Sequence, residues 1–215
     1  MKTILIAGLI FFVAIVLLIV ILPFFLGVNF SRPSGAGQAE NQGLFISEDS
    51  GATWQARGDI RDSKAKLSGF VITDFAIDPQ NSDRLYIGTG NSGVWKSVDK
   101  GQSWEKVVDK AGVLDPKAQV LRLQVSKADP RLWFLAVYQK NRGAVLKSEN
   151  GGETFLEVYF VPLERFGVFD IFYDDAAGSV IIANGQGGLL ESRDKGKSWR
   201  VVKWFSDGLV GLVVD

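Results

Sequence analysis

The sequence predicts an all-β fold made of repeated four-stranded antiparallel units, preceded by one apolar helix, and three observations carry that prediction. A short turn pattern recurs four times along the chain. The segments between its copies look like strands and return in the same order. Only the first 30 residues are continuously apolar.

The recurring pattern is S-x-[DN]-x-G-x-[ST]-[WF], found at Ser47 to Trp54, Ser97 to Trp104, Ser148 to Phe155 and Ser192 to Trp199, with starts 50, 51 and 44 residues apart. In each copy an Asp or Asn (Asp49, Asp99, Asn150, Asp194) can accept hydrogen bonds from N–H groups further along the turn. A Gly (Gly51, Gly101, Gly152, Gly196) can take positive φ, so the chain reverses without strain. The closing aromatic, Trp54, Trp104, Phe155 or Trp199, opens the next strand and covers the hairpin with its ring. Strands are therefore predicted before the boxes at 43–46, 93–96, 144–147 and 188–191, and after them at 54–57, 104–108, 155–160 and 199–203.

Two further strands precede each later box: 70–78 with 84–89, 120–125 with 132–138, and 168–173 with 180–183. Turn residues such as Asp78-Pro79 and the Gly90 to Gly93 stretch separate them. Four antiparallel strands at a period of about 40 to 50 residues is the sequence form of a β-propeller blade. Three full blades are visible, with half a blade before them and a single predicted strand, 209–214, after them. Such an arc leaves edges and apolar faces uncovered. The expectation is an incomplete propeller, a truncated product in preference to a four-bladed closed ring.

The boxes resemble the Asp-box, also called the bacterial neuraminidase repeat. The whole unit, with Asp78-Pro79, Leu85-Tyr-Ile-Gly-Thr89 and Gly93-Val-Trp-Lys-Ser97, resembles the propeller of the photosystem II stability and assembly factor family, over residues 43–215. The motif is shared with sialidases, sortilin-type receptors and several glycoside hydrolases. The resemblance implies that the boxes sit at the outer blade edge as structural turns, away from the axis where ligands bind. It also implies a non-catalytic partner role on a membrane complex.

Residues 4–28 form an uncharged run of 25 residues. At about 1.5 Å per residue this exceeds the roughly 30 Å hydrocarbon core. Residues 1–30 are therefore expected to be a transmembrane anchor, with a signal peptide cleaved after Ala36 or Ala39 as the alternative. Residues 31–42 are polar and rich in small residues, hence a flexible linker, and 43–215 form the propeller domain. An N-terminal anchor of this kind is expected to export the domain to the periplasm, a lumen or the cell exterior. The chain has no Cys, so no disulfide reports the compartment.

Removing Lys2 from the 24 basic residues leaves 23 against 24 acidic residues after position 30, a net charge of −1, so nucleic acid is not an expected partner. Lys64, Lys66, Lys195, Lys197 and Arg200 read as solvated turn residues. With no His and no Cys, Ser-His-Asp and Cys-His nucleophile systems and the usual zinc sites are excluded, and neither metal nor cofactor is expected. Glycoside hydrolysis by carboxylates or by a Tyr nucleophile is the enzyme class left open. Its candidates are Asp74, Glu164, Asp170 and Tyr173, which no motif pairs, and Arg32-Pro33 lacks the Arg-Ile-Pro form of a sialidase.

One repeat position points inward. Asp74, Arg122 and Asp170 are each 48 residues apart on the predicted first strands of successive blades, with Gly211 in the next copy. First strands line the axis of a propeller. Two readings of this axial arc stand: a contact point for a ligand or peptide, or charge compensation between blades. The function expected is a membrane-anchored, extracytoplasmic protein-binding scaffold that is not an enzyme, with a sialidase-like or other carbohydrate-active propeller as the alternative.

Overall fold

Strand formation follows the turn chemistry. In the computed structural model, which describes residues 44–213, each box turn joins two strands of one hairpin. The first box joins β1 (Phe45–Ile46) to β2 (Gln55–Ala56) in a two-stranded ribbon. After β3 (Asp59–Ile60), the second unit runs β4 (Ile72–Ile77), β5 (Leu85–Thr89), β6 (Val94–Ser97) and β7 (Ser103–Lys106). The third is β8 (Gln119–Val125), β9 (Trp133–Gln139), β10 (Arg142–Ser148) and β11 (Leu156–Phe160). The fourth is β12 (Val168–Asp174), β13 (Ser179–Asn184), β14 (Gly188–Ser192) and β15 (Arg200–Trp204). Within each unit neighbouring strands pair antiparallel in chain order, as in propeller blades.

The cores lie between sheets, because a single sheet cannot bury its own faces. Leu85, Ile87, Trp95 and Trp104 pack with Ile46 and Ile60 between the first and second units. Tyr86, Val94, Leu123, Trp133, Leu135 and Phe155 fill the second junction, and Phe134, Val145, Ile171, Val180 and Ile182 the third. Covered on both faces, β5 is buried at every residue, so its sequence is continuously apolar or small where an edge strand would alternate. The first strands meet in series: β8 packs on β4, and β12 on β8.

Three features depart from expectation. Strand β3 pairs parallel to β7, Asp59 opposite Ser103, and so adds a fifth strand to the second sheet. A two-residue pairing across more than 40 positions leaves no alternation to read. The expected strand at 209–214 is not regular among the described residues; Leu209 and Leu212 donate single N–H bonds to the Asn184 carbonyl and to Asp170. The segment has a neighbouring blade beside it, and among the described residues no strand of its own blade pairs with it. Trp104 lies over its own turn as expected, its Nε1 donating to the Gly101 carbonyl, but Trp104 and Trp199 also reach across to the neighbouring blade.

The arc is open among the described residues: all of β15 is exposed, and Trp54 is 63% exposed. The expected anchor at 4–28 and linker at 31–42 lie outside the described residues. Among the described residues no helix is long and apolar enough to cross a membrane. One 3-10 turn, Leu67–Gly69, is the helical element there.

Candidate functional site: blade junctions and an interblade cleft

In the second box, the Ser97 hydroxyl donates to Asp99 Oδ1 at 2.7 Å and accepts the Gly101 N–H at 2.8 Å. Asp99 then accepts the Ser103 N–H at 2.9 Å and the Ser103 hydroxyl at 2.5 Å. Ser47, Asp49 and Thr53 repeat this set, as do Ser192, Asp194 and Ser198. In the third box Asn150 accepts the Thr154 N–H but donates its Nδ2 to the Thr154 hydroxyl, so the same loop closes without a charge. The chain passes through two left-handed residues in each turn, for example Lys100 at φ 59° and Gly101 at φ 79°, and the glycine serves the second of them.

These bonds hold the carboxylates charged. The Thr53 hydroxyl and N–H, with Ser47, lower Asp49 to about 2, and Ser198 and Ser192 do the same for Asp194. Burial opposes ionisation of Asp99, but bonds from Ser103 and Ser97 outweigh it and leave the group below its ordinary value.

The box aromatics connect blades. Trp104 Nε1 donates to the Arg57 carbonyl at 3.2 Å and to the Gly101 carbonyl at 3.0 Å, and Trp199 Nε1 donates to the Val158 carbonyl at 2.8 Å. Phe155 has no side-chain donor. Its backbone N–H instead reaches Asp109 of the preceding connection at 3.1 Å, and the same carboxylate accepts from Ala111, Val113 and Leu114.

The axial arc is bonded blade to blade. Asp74 accepts the Leu123 N–H at 2.7 Å, and Asp170 accepts the Leu212 N–H at 2.8 Å, the same bond one repeat position past Arg122 and Gly211. Arg122 Nε donates to the other oxygen of Asp170 at 3.0 Å. The structure thus brings Arg122 and Asp170 together and ties Asp74 to the same strand through Leu123. Among the other catalytic candidates, exposed Glu164 accepts from Asn141 at 2.9 Å, while Tyr173 is buried against Phe134 in the third junction.

Sequence reasoning missed a cleft between the second and third units. One cavity of about 300 Å³ is bordered by Asp78, Arg84, Tyr86, Lys96 and Arg131. Another of about 290 Å³ shares Lys96 with it and adds Glu105, Lys106, Lys110 and Glu153. Asp78 is 2% exposed and lies 3.6 Å from Arg84. Burial, reinforced by Asp78, pushes the Tyr86 phenol up to about 12. Lys96 pairs with Glu105 at 3.2 Å, and Arg131 with Asp129 at 3.0 Å. The available signal was an Arg-Leu pair opening the second strand of each of these two units, Arg84-Leu85 and Arg131-Leu132, after a turn that contains an Asp-Pro pair, Asp78-Pro79 or Asp129-Pro130. Such a rim of paired charges can exchange partners with charged groups of a bound chain. Among the described residues no group of three or more His, Cys, Asp or Glu could hold a metal ion.

No family model matches the chain. An oligoxyloglucan-reducing end-specific xyloglucanase of Emericella nidulans is 28% identical over 156 residues, which cover 63% of this chain and 19% of that protein. A crystal structure of an ancestral GH74 enzyme superposes with a TM-score of 0.57 at 18% identity, covering 74% of this chain and 21% of that one. A nidogen/laminin complex superposes with a TM-score of 0.54 at 15% identity, covering 75% of this chain and 57% of that one. This chain spans about a fifth of the length of the first two. Blade order and these likenesses define the class, a β-propeller.

Proposed function

We propose that this chain is a non-catalytic β-propeller that binds another protein, held at a membrane by residues 4–28 with the blades on the extracytoplasmic side. The observation that carries the reading is the occupation of the inner-strand carboxylates. Asp74 and Asp170 each accept a backbone N–H group of the next blade, which supports a junction role for both. The charge-lined cleft between the second and third units offers a surface for a polar polypeptide. The resemblance of the repeats to the photosystem II stability and assembly factor family supports a membrane complex as the partner, and the Asp-box turns are framework in this reading. A tether to the same membrane raises the effective concentration of such a partner.

The sequence match to a xyloglucanase favours a second reading, a glycan-binding or glycan-cleaving propeller. One experiment separates them. The purified full chain is incubated with xyloglucan oligosaccharides, new reducing ends are measured, and proteins crosslinked to Arg84→Glu and wild-type chains in native membranes are compared. The scaffold reading expects no new reducing ends and a discrete crosslinked protein lost with Arg84→Glu. Hydrolysis that disappears in Asp170→Asn contradicts it.

A further inference from the structure

The connection between the third and fourth units turns its apolar side chains outward. Val161 donates its N–H to the Gly143 carbonyl at 2.8 Å, and Gly143 donates in return to the Phe166 carbonyl at 2.8 Å, so one residue at the start of β10 closes the loop at both ends. The Arg165 N–H adds a bond to the Asn141 carbonyl at 3.1 Å, and the Asn141 amide donates to Glu164. On this closed base residues 162–166 are all exposed, Leu163 at 56% and Phe166 at 37%. Phe160, which leads into the loop, is 44% exposed under the Arg142 guanidinium, 4.0 Å from its ring. Arg165 holds φ 69°, a left-handed conformation that a non-glycine residue keeps only where its surroundings fix it. A fastened loop thus presents large apolar side chains to solvent, where they are better placed against an apolar phase.

The chain leads to its apolar run from the same end of the blades. Arg57 donates its N–H to the Leu44 carbonyl at 2.8 Å, as Val107 does to Val94 at 2.9 Å fifty positions on, so Leu44 stands where the matching strand β6 begins. That end of β6 adjoins the connection after β7, since Gly93 donates to the Ala118 carbonyl at 3.0 Å, the bond that Gly143 makes to Phe166 in the third unit. Leu44 and the 162–166 loop are therefore at corresponding ends of their blades, away from the box turns. In the sequence, the fifteen residues 29–43 separate Leu44 from the uncharged run 4–28. A coil of that length spans about 20 Å on average, so a bilayer entered by residues 4–28 lies nearest this end.

We propose that the 162–166 loop docks on the bilayer that residues 4–28 enter, with Leu163 and Phe166 in the headgroup layer and Lys140 and Arg165 against lipid phosphates. The occupant is an anionic lipid surface, because exposed Lys140 and Arg165 flank the apolar side chains while Glu164, the carboxylate of the loop, is engaged by Asn141. So small a contact orients a chain that is already tethered; it does not anchor one. The inference rests on the anchor reading under the proposed function and deepens it. A docked loop fixes which end of the blades meets lipid, and it turns the box end, with the cleft at Asp78 and Arg131, away from the membrane.

The full chain is reconstituted into vesicles of equal parts phosphatidylcholine and phosphatidylglycerol. Because the chain has no Cys, Pro162→Cys and Lys127→Cys each take one fluorophore, the first in the loop with Leu163 and Phe166 intact, the second in the exposed β8–β9 turn at the other end of the same unit. Flotation of the vesicles reads the anchor, and quenching by spin-labelled lipid reads the loop. The chain is expected to float, with the label at 162 quenched severalfold more than the label at 127. Leu163→Ser in the labelled chain removes that difference, and Arg165→Gln lowers the ratio of docked to undocked loop about fivefold. A chain that does not float contradicts the anchor, and this inference with it. A chain that floats with equal quenching at the two sites, or with none, overturns the inference alone. So does a label at 162 shielded from aqueous iodide yet not reached by the lipid quencher, the result expected of a protein seated there, and so does quenching unchanged by Leu163→Ser and Arg165→Gln.

Discussion

At the residue scale, one hydroxyl and one carboxylate or amide close each box turn, so the cost of losing a box Asp depends on what the turn supports. Asp99 holds a turn whose Trp104 is fully buried between blades. Asp99→Ala is expected to lower stability in denaturant unfolding by about 1 to 3 kcal/mol, by leaving the Ser103 N–H and hydroxyl unpaired. Under the framework reading it leaves partner binding unchanged. Asp194, lowered to about 2 by Ser198 and Ser192, stabilises the fold fully above its unfolded value near 3.8, and that contribution is lost as pH falls through 2. Acid unfolding followed by circular dichroism should therefore be shallower between those values in Asp194→Asn than in wild type. The third box already shows that the amide works, since Asn150 closes its turn without a charge. These turns were legible because their chemistry is local: every partner lies within four residues of the Asp or Asn. The partner of Arg122 was not legible in the same way, because which of two carboxylates 48 residues away it meets is decided by blade packing.

At the element scale, strands with a neighbour in the same hairpin were read closely, and those defined by distant partners were not. The spacing placed β9 and β12 within a residue or two of their observed ends. It could not show β3, whose pairing partner β7 is supplied by another hairpin, nor that residues 209–213 would lack a ladder. The same limit hid the task of the box aromatics, because a tryptophan that opens a strand gives no sign of the carbonyl it will meet one blade away. Trp199→Phe tests that contact by keeping the ring and removing the donor to Val158. The loss expected is about 0.5 to 1.5 kcal/mol in equilibrium unfolding. Phe155→Leu should cost its stability through packing alone, because that ring donates no hydrogen bond and lies in the second junction core.

At the scale of the whole molecule, stability and function meet on the inner strands. Repeat units bury their apolar faces only against neighbours, so whatever ties first strands together governs the whole arc. The proposed anchor adds a prediction at this scale: deleting residues 1–30 should move the chain from the membrane fraction to the soluble fraction after centrifugation, since the rest of the sequence has no second apolar run of spanning length. An equal membrane share for the deleted form contradicts the anchor. The central claim is that Arg122 and Asp170 are junction groups holding blades together and not groups free for a ligand. A double-mutant cycle of Arg122→Met and Asp170→Asn, followed by denaturant unfolding, tests it most directly. With Arg122 about a third exposed, solvent screening limits the expected coupling to about 1 kcal/mol. Additive single and double variants with unchanged stability, accompanied by loss of partner binding, would contradict it.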